Sequence, residues 1–240
     1  MRIYLSKTKY QSSTETMEIN SDNILENSLK NINNIELRNK LNIKYTGDNI
    51  QNLNGNIKEW FYYIIKEIKK PKIHLFEDSQ NGTIFFNKCL KQNEKNLSYF
   101  SFIGKIIAKA LFENITINLD FNTIIYKMIL EENITPEDLK YIDQSSYDSL
   151  NEFKKAVESN EISAEDLHLY YIYEYLNENN ENIIEELIPG GKEILVNNID
   201  DYILKKIEYI KYKYTPFIEK LKQSLFAVIF IFNCLVYSKK

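Results

Sequence analysis

Apolar residues recur at helical spacing in several separate segments of this chain. An apolar face of this kind, with polar residues opposite, predicts a helix packed on a core. The segments are Asn56–Ile68, Leu97–Phe112, Phe121–Leu130, Tyr147–Val157 and Asp200–Lys213. Pro71 should end the first helix, and Pro216 should interrupt the last before it resumes at Phe217–Phe226. Gly104 and Ala108 are four apart on a helix that is apolar almost all round, so another element can approach it closely.

Shorter segments are rich in β-branched and aromatic residues, which favours strands. The predicted strands are Leu41–Tyr45, Lys72–Phe76, Thr83–Phe86, Leu167–Tyr173 and Ile194–Val196. Asn81-Gly82 predicts a hairpin turn between the second and third strands. Thr135-Pro136, followed by two acids, is a typical helix start. With residues 1–16 polar and expected to be poorly ordered, the chain is predicted to be α+β and mainly helical.

Composition and charge exclude several function classes. The 240 residues are 44% hydrophobic, enough for a real core of one or two domains. The net charge is −4, which disfavours a nucleic-acid partner, so the lysine clusters at 66–72 and 205–222 are interpreted as solvated helix faces. No signal peptide is visible, and the apolar run Leu225–Tyr237 is shorter than a membrane span. We therefore expect a cytoplasmic protein with no membrane partner.

Metal and catalytic chemistry are not predicted. The two cysteines and two histidines are isolated in sequence, without metal-ligand spacing: Cys89, Cys234, His74 and His168. Neither histidine flanks a serine or cysteine motif that would make a nucleophile–base pair, and no phosphate-binding loop is present. We predict no catalytic residue, no metal and no cofactor within these residues.

Three stretches carry a resemblance to a known family. In Leu41–Phe61 a short strand leads through a turn into a helix bearing Glu-Trp-Phe. Leu97–Leu111 reads Leu-Ser-Tyr-Phe-Ser-Phe-Ile-Gly-Lys-Ile-Ile-Ala-Lys-Ala-Leu, and Glu186–Gly191 reads Glu-Leu-Ile-Pro-Gly-Gly, with Asp201-Tyr202 behind it. In this order and spacing, the stretches resemble the N-terminal lobe of HECT-type ubiquitin ligases.

The resemblance implies a fold and a division of labour. The implied fold has a large helical subdomain, about 17–118 and 192–226, and a smaller inserted α/β subdomain, about 119–191. In the family this lobe binds a ubiquitin-conjugating enzyme that carries ubiquitin. A second lobe takes ubiquitin on a cysteine and passes it to a substrate lysine. After Phe226 the match stops, and Cys234 lacks the family's Thr-Cys-Phe arrangement. We therefore expect residues 227–240 to be an atypical tail and the chain alone to be inactive.

The resemblance also implies a docking site for the conjugating enzyme. Motif-matched groove positions are Leu150 and Phe153 on one predicted helix and Tyr202 on the next. Lys206 matches a position that is apolar or aromatic in some relatives. Leu150 and Phe153 lie three apart and share a helix face, so they could equally be core residues.

Three functional hypotheses follow from the sequence. The first is a part of a HECT-type ligase that docks ubiquitin-charged conjugating enzyme for protein ubiquitination. The second is a stand-alone, non-catalytic binding module for such an enzyme, which would compete with complete ligases. The third is an unrelated helical interaction domain.

Overall fold

The computed structural model describes residues 11–47, 55–79 and 82–237, with side chains for 13–47, 55–79 and 82–228. Its helices are α1 (Ile24–Asn31), α2 (Ile57–Ile68), α3 (Glu94–Phe112), α4 (Thr123–Leu130), α5 (Leu139–Ile142), α6 (Gln144–Glu158) and α7 (Ile199–Tyr237). Its strands are β1 (Gln11–Asn20), β2 (Asn39–Thr46), β3 (Phe76–Asp78), β4 (Ile84–Phe86), β5 (Ile172–Leu176) and β6 (Asn182–Glu186). The predicted α+β, mainly helical class is confirmed. Within the described residues, no helix combines the length and apolar character that crossing a membrane requires.

The described residues form two compact units. The first is drawn from Met1–Leu75, Gln92–Leu119 and Glu219–Lys240, and the second from Phe76–Lys91 and Asp120–Ile218. The predicted large and inserted subdomains stay predictions. In the second unit, residues 76–91 lie together with residues 120–218. Aromatic packing explains this: the ring of Phe86 on β4 stacks on Tyr214 of α7 with centroids 4.5 Å apart.

In the first unit, β1 and β2 pair in parallel, with Met17 opposite Ile43 and Ile19 opposite Tyr45. Met17 and Ile19 are almost fully buried, which anchors a strand that begins in polar sequence. The expectation that residues 1–16 are poorly ordered is therefore wrong for residues 11–16, and residues 1–10 lie outside the described residues. Strand β2 confirms the strand predicted at Leu41–Tyr45.

Helix α2 of the first unit forms where the sequence predicts it. The side chain of Asn56 accepts a hydrogen bond from the backbone N–H of Lys58 and caps the first turn. Trp60 is fully buried and donates a 2.9 Å hydrogen bond from Nε1 to Ser28 Oγ on α1. Buried indole nitrogens need such a partner, so this bond fixes how α1 and α2 face each other.

The central helix α3 packs closely against the C-terminal part of α7. A Cβ added to Gly104 would overlap the carbonyl oxygen of Leu221 and lie 3.1 Å from Ser224 Cβ. The hydroxyls of Ser101 and Ser224 are 2.7 Å apart across the same contact. The predicted close approach at Gly104 is confirmed.

The second unit contains two antiparallel hairpins. β3 pairs with β4, confirming the predicted hairpin, although Asn81 of its turn lies outside the described residues. The strand predicted over Lys72–Phe76 is wrong, because Pro71 begins a 3-10 turn and His74 has a left-handed backbone (φ 56°). β5 pairs with β6 from Ile172 opposite Glu186 onward.

The strands predicted at Leu167–Tyr173 and Ile194–Val196 are also wrong in their bounds. The segment Leu167–Tyr173 begins in a 3-10 turn and enters β5 only at Ile172. The segment Ile194–Val196 forms only an isolated bridge, at Leu195. Tyrosines and branched residues favour strands in general, but a partner strand decides where pairing begins.

Helix α7 continues through Pro216, so the predicted interruption is wrong. Tyr214 and Phe217 beside the proline are buried, and this packing holds the helix together. Thr215 Oγ1 donates a 2.7 Å hydrogen bond to the carbonyl oxygen of Lys211, one turn back. Tyr212, four residues before the proline, is 81% exposed, so water reaches the turn whose N–H donor is missing.

Candidate functional site

The site predicted for a partner lies on α6 and the first turns of α7. Helix α6 begins at the N-cap Asp143, whose carboxylate accepts hydrogen bonds from the N–H (2.9 Å) and hydroxyl (2.6 Å) of Ser146. Burial raises the pKa of Asp143, but the Ser146 bonds outweigh it and hold that pKa below the ordinary value. The capping box of Thr135 and Asp138, which confirms the predicted helix start, leads into this segment. The start of α6 is thus fixed by local hydrogen bonds.

Two predicted anchor residues on α6 lie in different environments. Leu150 is buried, with 6% of its surface exposed, whereas Phe153 is 37% exposed. The two residues lie three apart on α6 and therefore share one side of the helix. The core interpretation therefore applies to Leu150, and Phe153 keeps an apolar surface that a partner can cover.

An ion pair connects α6 to the beginning of α7. Lys154 Nζ donates a 2.7 Å hydrogen bond to Asp200 Oδ1. This bond raises the pKa of Lys154 above its ordinary value. This pair could not be predicted, because the two residues lie on separate elements far apart in the chain. The pair places Lys154, the residue after Phe153, against the first turn of α7.

Tyr202, on that part of α7, is 8% exposed. Its hydroxyl donates a 3.3 Å hydrogen bond to the carbonyl oxygen of Ile172 on β5. Its ring meets Tyr171 edge to face, with centroids 6.0 Å apart, and burial raises the pKa of Tyr202. Tyr202 therefore joins α7 to the β5–β6 hairpin and leaves little surface to solvent.

Lys206 lies one turn further along α7 and is 9% exposed. Its Nζ lies 5.6 Å from the centroid of the Tyr173 ring. Burial lowers the pKa of Lys206; the Asp143 carboxylate opposes that shift, and the Lys88 charge adds to it. Lys206 faces a cavity of about 120 Å³ inside the second unit. This burial of a lysine was not predicted.

The residues considered for other chemistry lie elsewhere. Cys89 is half-buried after β4, and its backbone N–H donates a 2.8 Å hydrogen bond to Asn87 Oδ1. The side chain of Cys234 lies outside the described residues. His168 has a left-handed backbone, and one ring nitrogen lies 2.9 Å from the Asp166 carbonyl oxygen. Across the described part of the chain, no three His, Cys, Asp or Glu side chains gather as metal ligands would.

Comparisons with known proteins agree on one family. The family model described as "HECT-domain (ubiquitin-transferase)" matches residues 62–234. The E3 ubiquitin-protein ligase NEDD4 of Mus musculus is 31% identical over 205 residues, which are 80% of this chain and 22% of that protein. Nedd-4 of Drosophila melanogaster is 29% identical over 232 residues, 92% of this chain and 21% of that protein. TOM1 of Saccharomyces cerevisiae is 30% identical over 186 residues, 73% of this chain and 5% of that protein. The chain thus spans about a fifth or less of each relative.

Proposed function

Because the chain belongs to the HECT-domain family of ubiquitin ligases, we propose that it docks a ubiquitin-charged conjugating enzyme on the second unit. In this proposal the chain works within protein ubiquitination, and its partners are the conjugating enzyme and the ubiquitin that it carries. The protein substrate is not specified by any residue described above.

The exposed ring of Phe153 is the observation that carries the proposal. It is a large apolar side chain, 37% exposed, on a helix whose neighbour Leu150 is buried. The Lys154–Asp200 pair holds that helix against the start of α7, where Tyr202 is fixed by its bond to Ile172. A rigid support of this kind favours an aromatic anchor for a partner, because little freedom remains to be lost on binding.

The buried residues of the predicted site have supporting roles in this proposal. Leu150, Tyr202 and Lys206 are all buried, with 6%, 8% and 9% of their surfaces exposed, and so offer a partner little area. The contact area that the partner covers is therefore centred on Phe153 rather than spread evenly over the predicted residues. We expect the interaction to be weak and reversible, as transient enzyme handovers are.

The chemistry proposed for the pathway is two acyl transfers. A cysteine thiolate attacks the thioester that joins ubiquitin to the conjugating enzyme, and the enzyme's own thiolate leaves. A substrate lysine amine then attacks the new thioester, an isopeptide bond forms and the second thiolate leaves. Neither Cys89 nor Cys234 has the family's Thr-Cys-Phe setting. We assign neither of them the role of acceptor, so these 240 residues alone dock the charged enzyme without taking its ubiquitin.

One experiment tests both the docking role and the assignment that neither cysteine accepts ubiquitin. The purified chain is titrated with a panel of conjugating enzymes charged with ubiquitin, and the same mixtures are run on gels with and without reductant. The proposal predicts saturable binding to at least one enzyme and no reductant-sensitive ubiquitin adduct on the chain. A folded chain that binds no enzyme in the panel would overturn the docking role. An adduct that disappears in a Cys89→Ser or Cys234→Ser variant would overturn the assignment of the cysteines.

A further inference from the structure

A partly enclosed pocket in the second unit carries an unusual set of charges. The cavity of about 120 Å³ lies between the β3–β4 hairpin, the start of α6 and the middle of α7. Its charged lining residues are Glu77, Asp78, Lys88, Asp143 and Lys206. Apolar side chains, among them Phe85 and Ile210, form part of its wall. The cavity is large enough for a molecule of a few heavy atoms.

Most of these charges are satisfied by protein groups. Lys88 Nζ lies 3.6 Å from Glu77 Oε1, and the backbone N–H of Lys88 donates to the other oxygen of Glu77. Both oxygens of Asp143 accept hydrogen bonds from Ser146. Lys206 differs: nothing in the described part of the chain forms a hydrogen bond or ion pair with its Nζ, and its contact there is the face of the Tyr173 ring. Lys206 as a whole residue is 9% exposed, and an acceptor inside the cavity would offset the cost of desolvating its charged end.

The surroundings restrict what that acceptor can be. An anion would meet Lys206 but would also face three carboxylates, and a cation would face Lys206 itself. A neutral group that accepts a hydrogen bond at one end and donates one at the other can meet both Lys206 and a carboxylate. We propose that this cavity binds a primary amide, whose carbonyl oxygen accepts a hydrogen bond from Lys206 Nζ while its amino group donates to the carboxylate of Asp143. The apolar wall receives the carbon attached to the amide.

A primary amide can reach the cavity from two sources. One is a free small molecule, and the other is an asparagine or glutamine side chain of a docked partner. Only the second source rests on the proposed function, since it requires a conjugating enzyme on the second unit. The amide site itself does not depend on the proposed function.

Three probes of nearly equal shape test the site on the unaltered chain. Acetamide, acetate and acetamidinium differ mainly in charge, and each is titrated while backbone amide signals are followed by NMR. We expect acetamide to shift the signals of Asp143 and Ser146 saturably, and the two charged probes to bind at least tenfold more weakly. The absence of saturable shifts, or acetate binding as tightly as acetamide, would overturn the proposal and leave the cavity to water.

Two variants locate the contact. Lys206→Met keeps the aliphatic stem and removes the donor, so acetamide affinity should fall at least tenfold. Lys205→Met, one residue away on the same helix and paired with Glu208, should leave it unchanged. Equal effects of the two variants would contradict a direct contact with Lys206. Should Lys206→Met not fold, the three-probe comparison still decides the matter, because it uses the unaltered chain.

A competition measurement separates the two sources. Saturating acetamide should weaken binding of the conjugating enzyme if the partner supplies the amide, and should leave it unchanged if the site serves a free small molecule. Both results keep the amide site. A chain that binds acetamide but no conjugating enzyme removes the proposed function and leaves this inference intact.

Discussion

Lys154 on α6 donates a 2.7 Å hydrogen bond to Asp200 in the first turn of α7. Its Nζ also lies 3.9 Å from Oε1 of Glu158. The pair is only partly buried, with 34% and 59% of the two side chains exposed. Its importance is therefore geometric. It holds the helix that carries Phe153 against the helix that carries Tyr202.

Removing this pair should cost little stability. Exposed ion pairs contribute about 0.2–1 kcal/mol and are screened by salt. We expect Lys154→Met to lower the free energy of unfolding by less than about 1 kcal/mol, and the loss to shrink at high ionic strength. Denaturant unfolding at low and high salt measures it. A loss of several kcal/mol that salt does not change would show that Lys154 has another, buried role.

The close contact of α3 with α7 makes Gly104 sensitive to size. In Gly104→Ala the new methyl group would overlap the Leu221 carbonyl oxygen, so one helix must move. Overpacking of this kind costs about 1–3 kcal/mol. Chemical denaturation should report that loss, while Ser98→Ala at an exposed position of α3 should change stability by less than about 0.5 kcal/mol. Equal stability of Gly104→Ala and the unaltered chain would contradict the tight contact.

The buried lysine predicts a pH dependence of known sign. Burial holds the pKa of Lys206 below the ordinary lysine value, which is about 10.4. At pH values between the lowered pKa of the folded chain and the ordinary pKa of the unfolded chain, the unfolded chain binds a proton that the folded chain does not. This group therefore makes the free energy of unfolding rise with pH in that window. The free energy of unfolding of the unaltered chain should therefore rise relative to Lys206→Met as pH increases toward about 10.

The matched control for this measurement is Lys205→Met. The pKa of Lys205 is raised by its hydrogen bond to Glu208, so its contribution has the opposite sign and is lost as pH rises. Urea unfolding of the three proteins at several pH values from neutral to alkaline gives the comparison. A stability difference between the unaltered chain and Lys206→Met that does not change with pH would show that Lys206 keeps an ordinary pKa in the fold.

Features decided by short-range signals were predictable from the sequence. Asn56 and Thr135 cap their helices as their residue types favour. Gly82 has φ 69°, as the hairpin turn requires. Phe153 was predicted on a helix with Leu150, and that helix forms.

Features decided by distant contacts were not predictable. The polar start of β1 gave no sign of a strand, because its parallel partner β2 lies beyond α1. Pro216 signals a break, yet buried Tyr214 and Phe217 keep α7 continuous. Lys206 would be expected at the surface, but the β5–β6 hairpin places Tyr173 over it. In each case tertiary packing outweighs a local preference.

Phe153→Ala gives the most direct test of the docking account. Binding of the ubiquitin-charged conjugating enzyme is measured for this variant and for Phe226→Ala, which removes a phenylalanine of similar exposure (46%) in the first unit. The account predicts that Phe153→Ala weakens binding by about 1–3 kcal/mol with the fold intact by circular dichroism, and that Phe226→Ala has no effect. Unchanged affinity in folded Phe153→Ala would contradict the account.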